Sequence, residues 1–234
     1  MTRFKIFRFT PELDKKPWYE TYELEVDPNT RILDCLHIIR DNYDPSLAYR
    51  WSCSHGICGS CGVTINGLAA LACQKLVKHY VKAEEIKIEP LGFFPIVKDL
   101  IVDMEVFFER MKSIHPRNLE KINPVSVSRQ LHQSPEEYNE IVDAIKCVMC
   151  GCCTAQCPVT KKEEPEFIGP AAVLRAKRYI FDTRLRDTEE RRQIIGELHG
   201  VWSCKTYWRC TRVCPKGIHV TQNILDLKEE LKTQ

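Results

Sequence analysis

No stretch of this 234-residue chain approaches the ~20 consecutive apolar residues that a membrane-spanning helix needs. Met1 to Thr10 alternates basic and apolar residues and lacks the apolar core of a signal peptide. The expectation is a chain soluble by itself in a reducing compartment, with no direct membrane span and any membrane attachment supplied by another subunit. An excess of one charge is also missing. The 34 Lys and Arg residues nearly balance 32 Asp and Glu, leaving a formal net charge of +2. That is too little to imply nucleic acid or another polyanion as a partner. Apolar content is an ordinary 44%, and the length suffices for two modest domains with separate cores.

Cysteine is what the chain has in excess: thirteen residues, most of them in tight clusters. A secreted disulfide scaffold is a poor match, because the total is odd and the rest of the composition is globular. Close runs at these spacings read as metal ligation. Cys147-Val-Met-Cys150-Gly-Cys-Cys153-Thr-Ala-Gln-Cys157-Pro158 is the C-x2-C-x2-C-x3-C-P run of bacterial-type iron–sulfur ferredoxins. Shifted by 57 residues, the run recurs as Cys204, Tyr207, Cys210, Cys214 and Pro215, with tyrosine in place of the second thiolate. In two-cluster ferredoxins the fourth cysteine of each run serves the other cluster. One expected set is therefore Cys147, Cys150, Cys153 and Cys214, enough for a [4Fe–4S] cube. The other is Cys157, Cys204 and Cys210, whose three thiolates suit a [3Fe–4S] cluster.

A third set, Cys53-x4-Cys58-x2-Cys61 followed by Cys73, matches the plant-type pattern for a [2Fe–2S] cluster. Gly56, Gly59 and Gly62 interleave with it, as a loop needs in order to turn sharply and bring N–H groups toward sulfur. Structural zinc is the alternative for four cysteines, but the x4-x2 spacing and dense glycine favour iron. Cys35 lies on the apolar face of a predicted helix and reads as a small buried hydrophobe. Cys152 adjoins Cys153, and the spacing gives the ligand role to Cys153; a slip of register would give it to Cys152.

Two kinds of pattern divide the chain into residues 1–98 and 99–234. In the first, Phe4, Ile6 and Phe9 lie in an extended run, and Tyr22, Leu24 and Val26 alternate with polar residues. The turn-like Pro11-to-Pro17 stretch makes them hairpin partners. Asp27 to Thr30 offers capping chemistry before a helix through Ile32, Leu33, Leu36 and Ile39. Asn66-Gly67 signals a turn after a short strand, and Ile86 and Ile88 mark a last strand. In the second, Leu100, Met104, Phe107, Phe108 and Met111 recur at helical spacing. Ser134-Pro135-Glu136-Glu137 is a capping box. Further helices are predicted from Pro170 through Tyr179, over Glu189–His199, and through Ile224, Leu227 and Leu231. The expected fold is α+β, with an N-terminal β-grasp, plant-type ferredoxin-like domain. An all-α, bacterial-ferredoxin-like domain follows it.

The chain resembles one family over nearly its whole length: the iron–sulfur subunits of succinate dehydrogenase and fumarate reductase, the complex II family. The resemblance is carried by Cys53-Ser-His-Gly-Ile-Cys58-Gly-Ser-Cys61, Phe94-Pro95-Ile-Val-Lys98-Asp99-Leu100, the Cys147 run and Cys214-Pro215-Lys216-Gly217. It implies electron transfer between FAD in a flavoprotein subunit and a quinone in membrane-anchor subunits, through the [2Fe–2S], [4Fe–4S] and [3Fe–4S] clusters in turn. This chain would then hold no catalytic acid or base, and its seven histidines need no catalytic role. The implied location is peripheral, on the cytoplasmic face of the inner membrane. Ubiquinone-using relatives tend to carry a tryptophan pair shortly after the Cys157-Pro158 position, near Lys161 and Lys162 here, and often histidine where Lys205 stands. These departures favour menaquinone or an unusual anchor. Pro158, Lys205, Tyr207 and Trp208 are the quinone-proximal candidates, with Trp202 on the same expected anchor-facing surface. A soluble reductase acting on disulfides or another acceptor is the alternative.

Overall fold

The computed structural model describes residues 1–116, 131–185 and 188–233. In chain order its strands are β1 (Thr2–Arg8), β2 (Trp18–Leu24), β3 (Gly62–Ile65), β4 (Leu68–Leu71), β5 (Ile86–Glu89), β6 (Ile96–Lys98) and β7 (Ile101–Val102). Its helices are α1 (Ile32–Asn42), α2 (Glu105–Ser113), α3 (Pro135–Ile145), α4 (Cys152–Gln156), α5 (Pro170–Ile180), α6 (Thr188–Gly196), α7 (Arg209–Val213) and α8 (Val220–Lys232). They fall into two compact units. One holds Met1–Met104, Val148–Gln156 and Val213–Lys216; the other holds Glu105–Cys147, Cys157–Arg212 and Gly217–Gln234.

The first unit is a five-stranded sheet in the order β2-β1-β5-β3-β4. Strands β1 and β5 run parallel, with Phe4 opposite Ile86 and Ile6 opposite Ile88, and the other pairs are antiparallel. With α1 between β2 and β3, this is the mixed β-grasp arrangement. Phe4, Ile6, Ile65 and Ile88 of the sheet, with Ile32, Leu33 and Ile39 of α1, are fully shielded from water. Burying each such side chain is worth about 1.5–3 kcal/mol before chain entropy is set against it. The Asn66-Gly67 turn takes φ values of 45° and 81°, the left-handed pair that matches strand twist. It launches β4, a strand whose Leu-Ala-Ala-Leu run gave no period-two signal.

The chain departs from two local expectations. Asp27 does not cap α1; its side chain accepts from the Asn29 N–H at 2.7 Å, closing a turn, and the cap position is Arg31 without a side-chain bond. Leu100 and Met104 do not begin a helix. The chain instead forms the β6–β7 hairpin, and α2 starts at Glu105. The cause is Asp99, 1% exposed with φ of 47°. Its carboxylate accepts from Arg8 Nε at 3.2 Å and from the Phe9 and Ala48 N–H groups at 3.0 Å each. Arg8 also engages Glu20 and Asp44. A buried charge needs such partners, and fixing them overrides the local helical period.

In the second unit, α5 is the central helix, packed against α2, α3, α6 and α8. Its Ala171, Val173, Leu174 and Ala176 are buried. The α3 capping box forms as read: Ser134 N–H donates to Glu137 Oε2 at 2.7 Å, and Glu137 N–H to Ser134 Oγ at 3.2 Å. Helix α6 ends at Gly196 rather than His199, which lies outside it with φ of 68°. Among the described residues no helix is long and apolar enough to cross a membrane.

Candidate metal centres

Cys53, Cys58 and Cys61 sit on the coiled loop before β3, and Cys73 in the turn after β4. The loop turns through positive φ at Ser54, Gly56 and Gly59. Its main chain thereby closes on the Cys53 sulfur, which accepts the N–H groups of His55 at 3.5 Å and of Ile57 and Cys58 at 3.3 Å each. Those donors, His55 first, pull the Cys53 thiol down to about 6. A site that stabilises thiolate through oriented dipoles suits a cluster whose charge is spread over sulfur. Cys61 and Cys73 are buried. Burial pushes the Cys61 thiol up to about 12, and the nearby Cys73 and Cys58 sulfurs add to it. Gly59 has no room for a side chain: a Cβ there would lie 2.7 Å from the Val148 carbonyl oxygen.

Cys150, Cys153 and Cys214 also belong to the first unit, whereas Cys147, just after α3, belongs to the second. Cys152 is fully buried among the first three. Its thiol is held well above the ordinary range, first by its hydrogen bond with Cys150, then by burial and the neighbouring sulfurs of Cys153 and Cys214. Cys150 moves the other way, lowered first by that same bond. Cys152 is therefore a protonated donor to the Cys150 sulfur. Cys35 is buried on α1, and burial raises its thiol to about 12, as expected of a small core hydrophobe.

Cys157, Cys204 and Cys210 line a small surface cavity in the second unit. Pro158, Lys205, Tyr207 and Trp208 line it as well. The π-helical turn Val159–Glu163 runs off Pro158; such turns concentrate at functional sites. Its Glu163 accepts the Tyr207 hydroxyl at 2.8 Å. Burial raises the Cys204 and Cys210 thiols, and the three sulfurs act on one another. Two residues of α8 were missed in the sequence. Lys228 Nζ donates to the Cys204 carbonyl at 2.8 Å, and its charge opposes the rise at Cys204. Thr221 Oγ1 lies 3.3 Å from Cys210 Sγ. No three His, Cys, Asp or Glu among the described residues are placed to hold a single metal ion.

Comparison with known proteins follows the same division. Residues 3–109 match the family model of the 2Fe-2S iron-sulfur cluster binding domain, and residues 143–218 that of the 4Fe-4S dicluster domain. The fumarate reductase iron-sulfur subunit of Haemophilus influenzae is 37% identical, over 92% of this chain and 86% of its own length. That of Escherichia coli O157:H7 is 38% identical, over 92% and 87%. The succinate dehydrogenase iron-sulfur subunit of Coxiella burnetii is 36% identical, over 97% and 96%. A solved structure of the Mycobacterium smegmatis Sdh1 complex in the apo form matches with a TM-score of 0.86 at 27% identity, covering 99% of this chain and 95% of that one.

Proposed function

Because this chain belongs to the family of fumarate reductase and succinate dehydrogenase iron–sulfur subunits, we propose that its three cysteine sets carry single electrons between a flavoprotein and a membrane quinone. When bound, the clusters supply one-electron acceptors, which a flavin's two-electron chemistry needs for onward transfer. The chain's own residues hold, insulate and tune them. The [2Fe–2S] ligands are Cys53, Cys58, Cys61 and Cys73. The [4Fe–4S] ligands are Cys147, Cys150, Cys153 and Cys214. The [3Fe–4S] ligands are Cys157, Cys204 and Cys210, and the last reading rests on the cavity those three cysteines line with Tyr207 at the fourth place.

The partners in this reading are an FAD-containing flavoprotein and a quinone-binding anchor, with the chain peripheral on the cytoplasmic face of the membrane. The anchor covers the surface of Pro158, Lys205, Tyr207 and Trp208. In its support, Tyr207 and Trp208 are large aromatic side chains exposed there, of the type that recurs at interfaces. The lysines at 161, 162 and 205 favour menaquinone. Relatives named as fumarate reductase or succinate dehydrogenase subunits match over 92% and 97% of the chain, and no observation favours a soluble reductase.

The test is metal analysis and electron paramagnetic resonance of the reconstituted chain. About nine irons per chain are expected, with three distinct centres, the three-iron one visible only when oxidised. About ten irons and no oxidised-state signal overturn the three-iron assignment. Purification with its native neighbours tests the partners: an apolar anchor protein is expected to co-purify.

A further inference from the structure

We infer that Glu164, His199 and Glu166 form a carboxylate–imidazolium–carboxylate array that positions Cys204 and sets the reduction potential of the three-cysteine centre. The inference rests on the reading of Cys204 as a cluster ligand. Glu164 Oε1 accepts two hydrogen bonds, from His199 Nδ1 at 2.7 Å and from Ser203 Oγ at 2.7 Å. On its other side, His199 Nε2 lies 2.9 Å from Glu166 Oε2. A neutral imidazole donates from one nitrogen only, so the form that satisfies both carboxylates is the imidazolium. Ser203 is buried and is the residue immediately before Cys204.

The array runs from water to the ligand loop. Side-chain exposure falls from 76% at Glu166 to 31% at His199 and 26% at Glu164. A backbone bond supports the same junction, with Ile168 N–H donating to the His199 carbonyl at 3.0 Å. His199 is held in the left-handed region, a conformation that histidine and asparagine tolerate better than most side chains. Other charges bear on the same place: Lys205 acts on Glu164, Lys228 on Cys204, and Glu163 holds Tyr207. The Glu164 carboxyl lies below its usual range, through Ser203 first and His199 second. It is thus an ionised acceptor at neutral pH.

Reducing the centre adds negative charge, so a nearby cation favours reduction and an uncompensated carboxylate opposes it. His199 is a positioning residue in this scheme: it touches neither the centre nor an acceptor, and acts through Glu164 and Ser203.

The experiment is a redox titration of the loaded complex, with iron content and the oxidised three-iron signal measured on the same samples. His199→Asn keeps a residue tolerant of left-handed backbone and one donor, but removes the cation. Its iron and signal are expected to stay at wild-type levels while the midpoint falls, shifting the oxidised-to-reduced ratio at fixed potential by about tenfold. Glu166→Gln, on an exposed side chain that the fold does not need, is expected to shift that ratio two- to three-fold the other way. An unmoved midpoint in Glu166→Gln, or in His199→Asn with its signal intact, overturns the array. A wild type with no oxidised-state signal overturns the ligand reading, and this inference with it.

Discussion

The Cys53 loop and the Cys157–Cys204–Cys210 cavity meet one demand, holding sulfur beside redox-active iron, by opposite means. The loop uses main chain: three N–H groups converge on one sulfur, made possible by left-handed residues spaced between the cysteines. The cavity uses side chains and carbonyls from separate elements, with Lys228 and Thr221 from α8, Glu163 from the π-helical turn and Tyr207 between two ligands. A backbone-built centre is fixed in its electrostatics by the turn that makes it. A side-chain-built centre can be retuned one residue at a time, which suits a centre that must match the potential of an external acceptor.

Tyr207→Cys is expected to give the largest effect, because it changes the cofactor itself. Tyr207 lines the cavity at the position where the Cys147 run places its second thiolate. A cysteine there completes four ligands. The variant is expected to bind about one more iron, lose the oxidised three-iron signal and show a lower midpoint. A variant whose three-iron signal persists unchanged shows that residue 207 is not the vacated place.

The loop breaks instead on its backbone. Gly59→Ala forces a side chain into φ of +74° and 2.7 Å from the Val148 carbonyl oxygen. The conformation costs about 1–3 kcal/mol, and overpacking adds a further ~1–3 kcal/mol. Thermal unfolding is expected to show the full sum, together with loss of the [2Fe–2S] signal. Gly217→Ala is the matched control. It has φ of +66° with nothing within 4 Å of the added Cβ, so only the conformational cost of about 1–3 kcal/mol remains. Equal losses from the two variants would mean that the close approach at Gly59 relaxes freely.

The same division decides what could be read in advance. Asn66-Gly67 and the Ser134–Glu137 box act on residues within one turn of themselves, and both formed as their spacing implied. The cysteine runs are equally local, so the three sets stood out without a structure. Asp27 had the right chemistry for a cap and used it on a turn two residues away. Asp99 broke a helical period because its acceptors are filled by Arg8, Phe9 and Ala48. Lys228 reaches Cys204 across 24 positions, and Glu164 reaches His199 across 35. No periodicity or spacing rule encodes such pairings, which only the folded chain brings together. The cavity was thus legible in its ligands and illegible in what tunes them.

The smallest expected effect separates the two regions by their histidines. His37 of α1 stands beside the Cys53 loop, its Nδ1 2.6 Å from the Tyr49 hydroxyl and its ring 5.2 Å from that of Trp51. Burial first, and then the Arg40 guanidinium, hold its pKa below the ordinary value. The folded state therefore prefers neutral imidazole. An unfolded histidine titrates near 6.5, so this contribution to stability is complete above that value and is lost as pH falls below it toward the folded-state pKa. His199 belongs to the second unit and faces two carboxylates. Acidification from about pH 7.5 to 5.5 is thus expected to lower the unfolding temperature of the first unit through His37, by less than the Gly59 variant does. His37→Gln flattens that decline, whereas His199→Asn leaves it in place. Parallel declines in wild type and His37→Gln would assign the titration to another group.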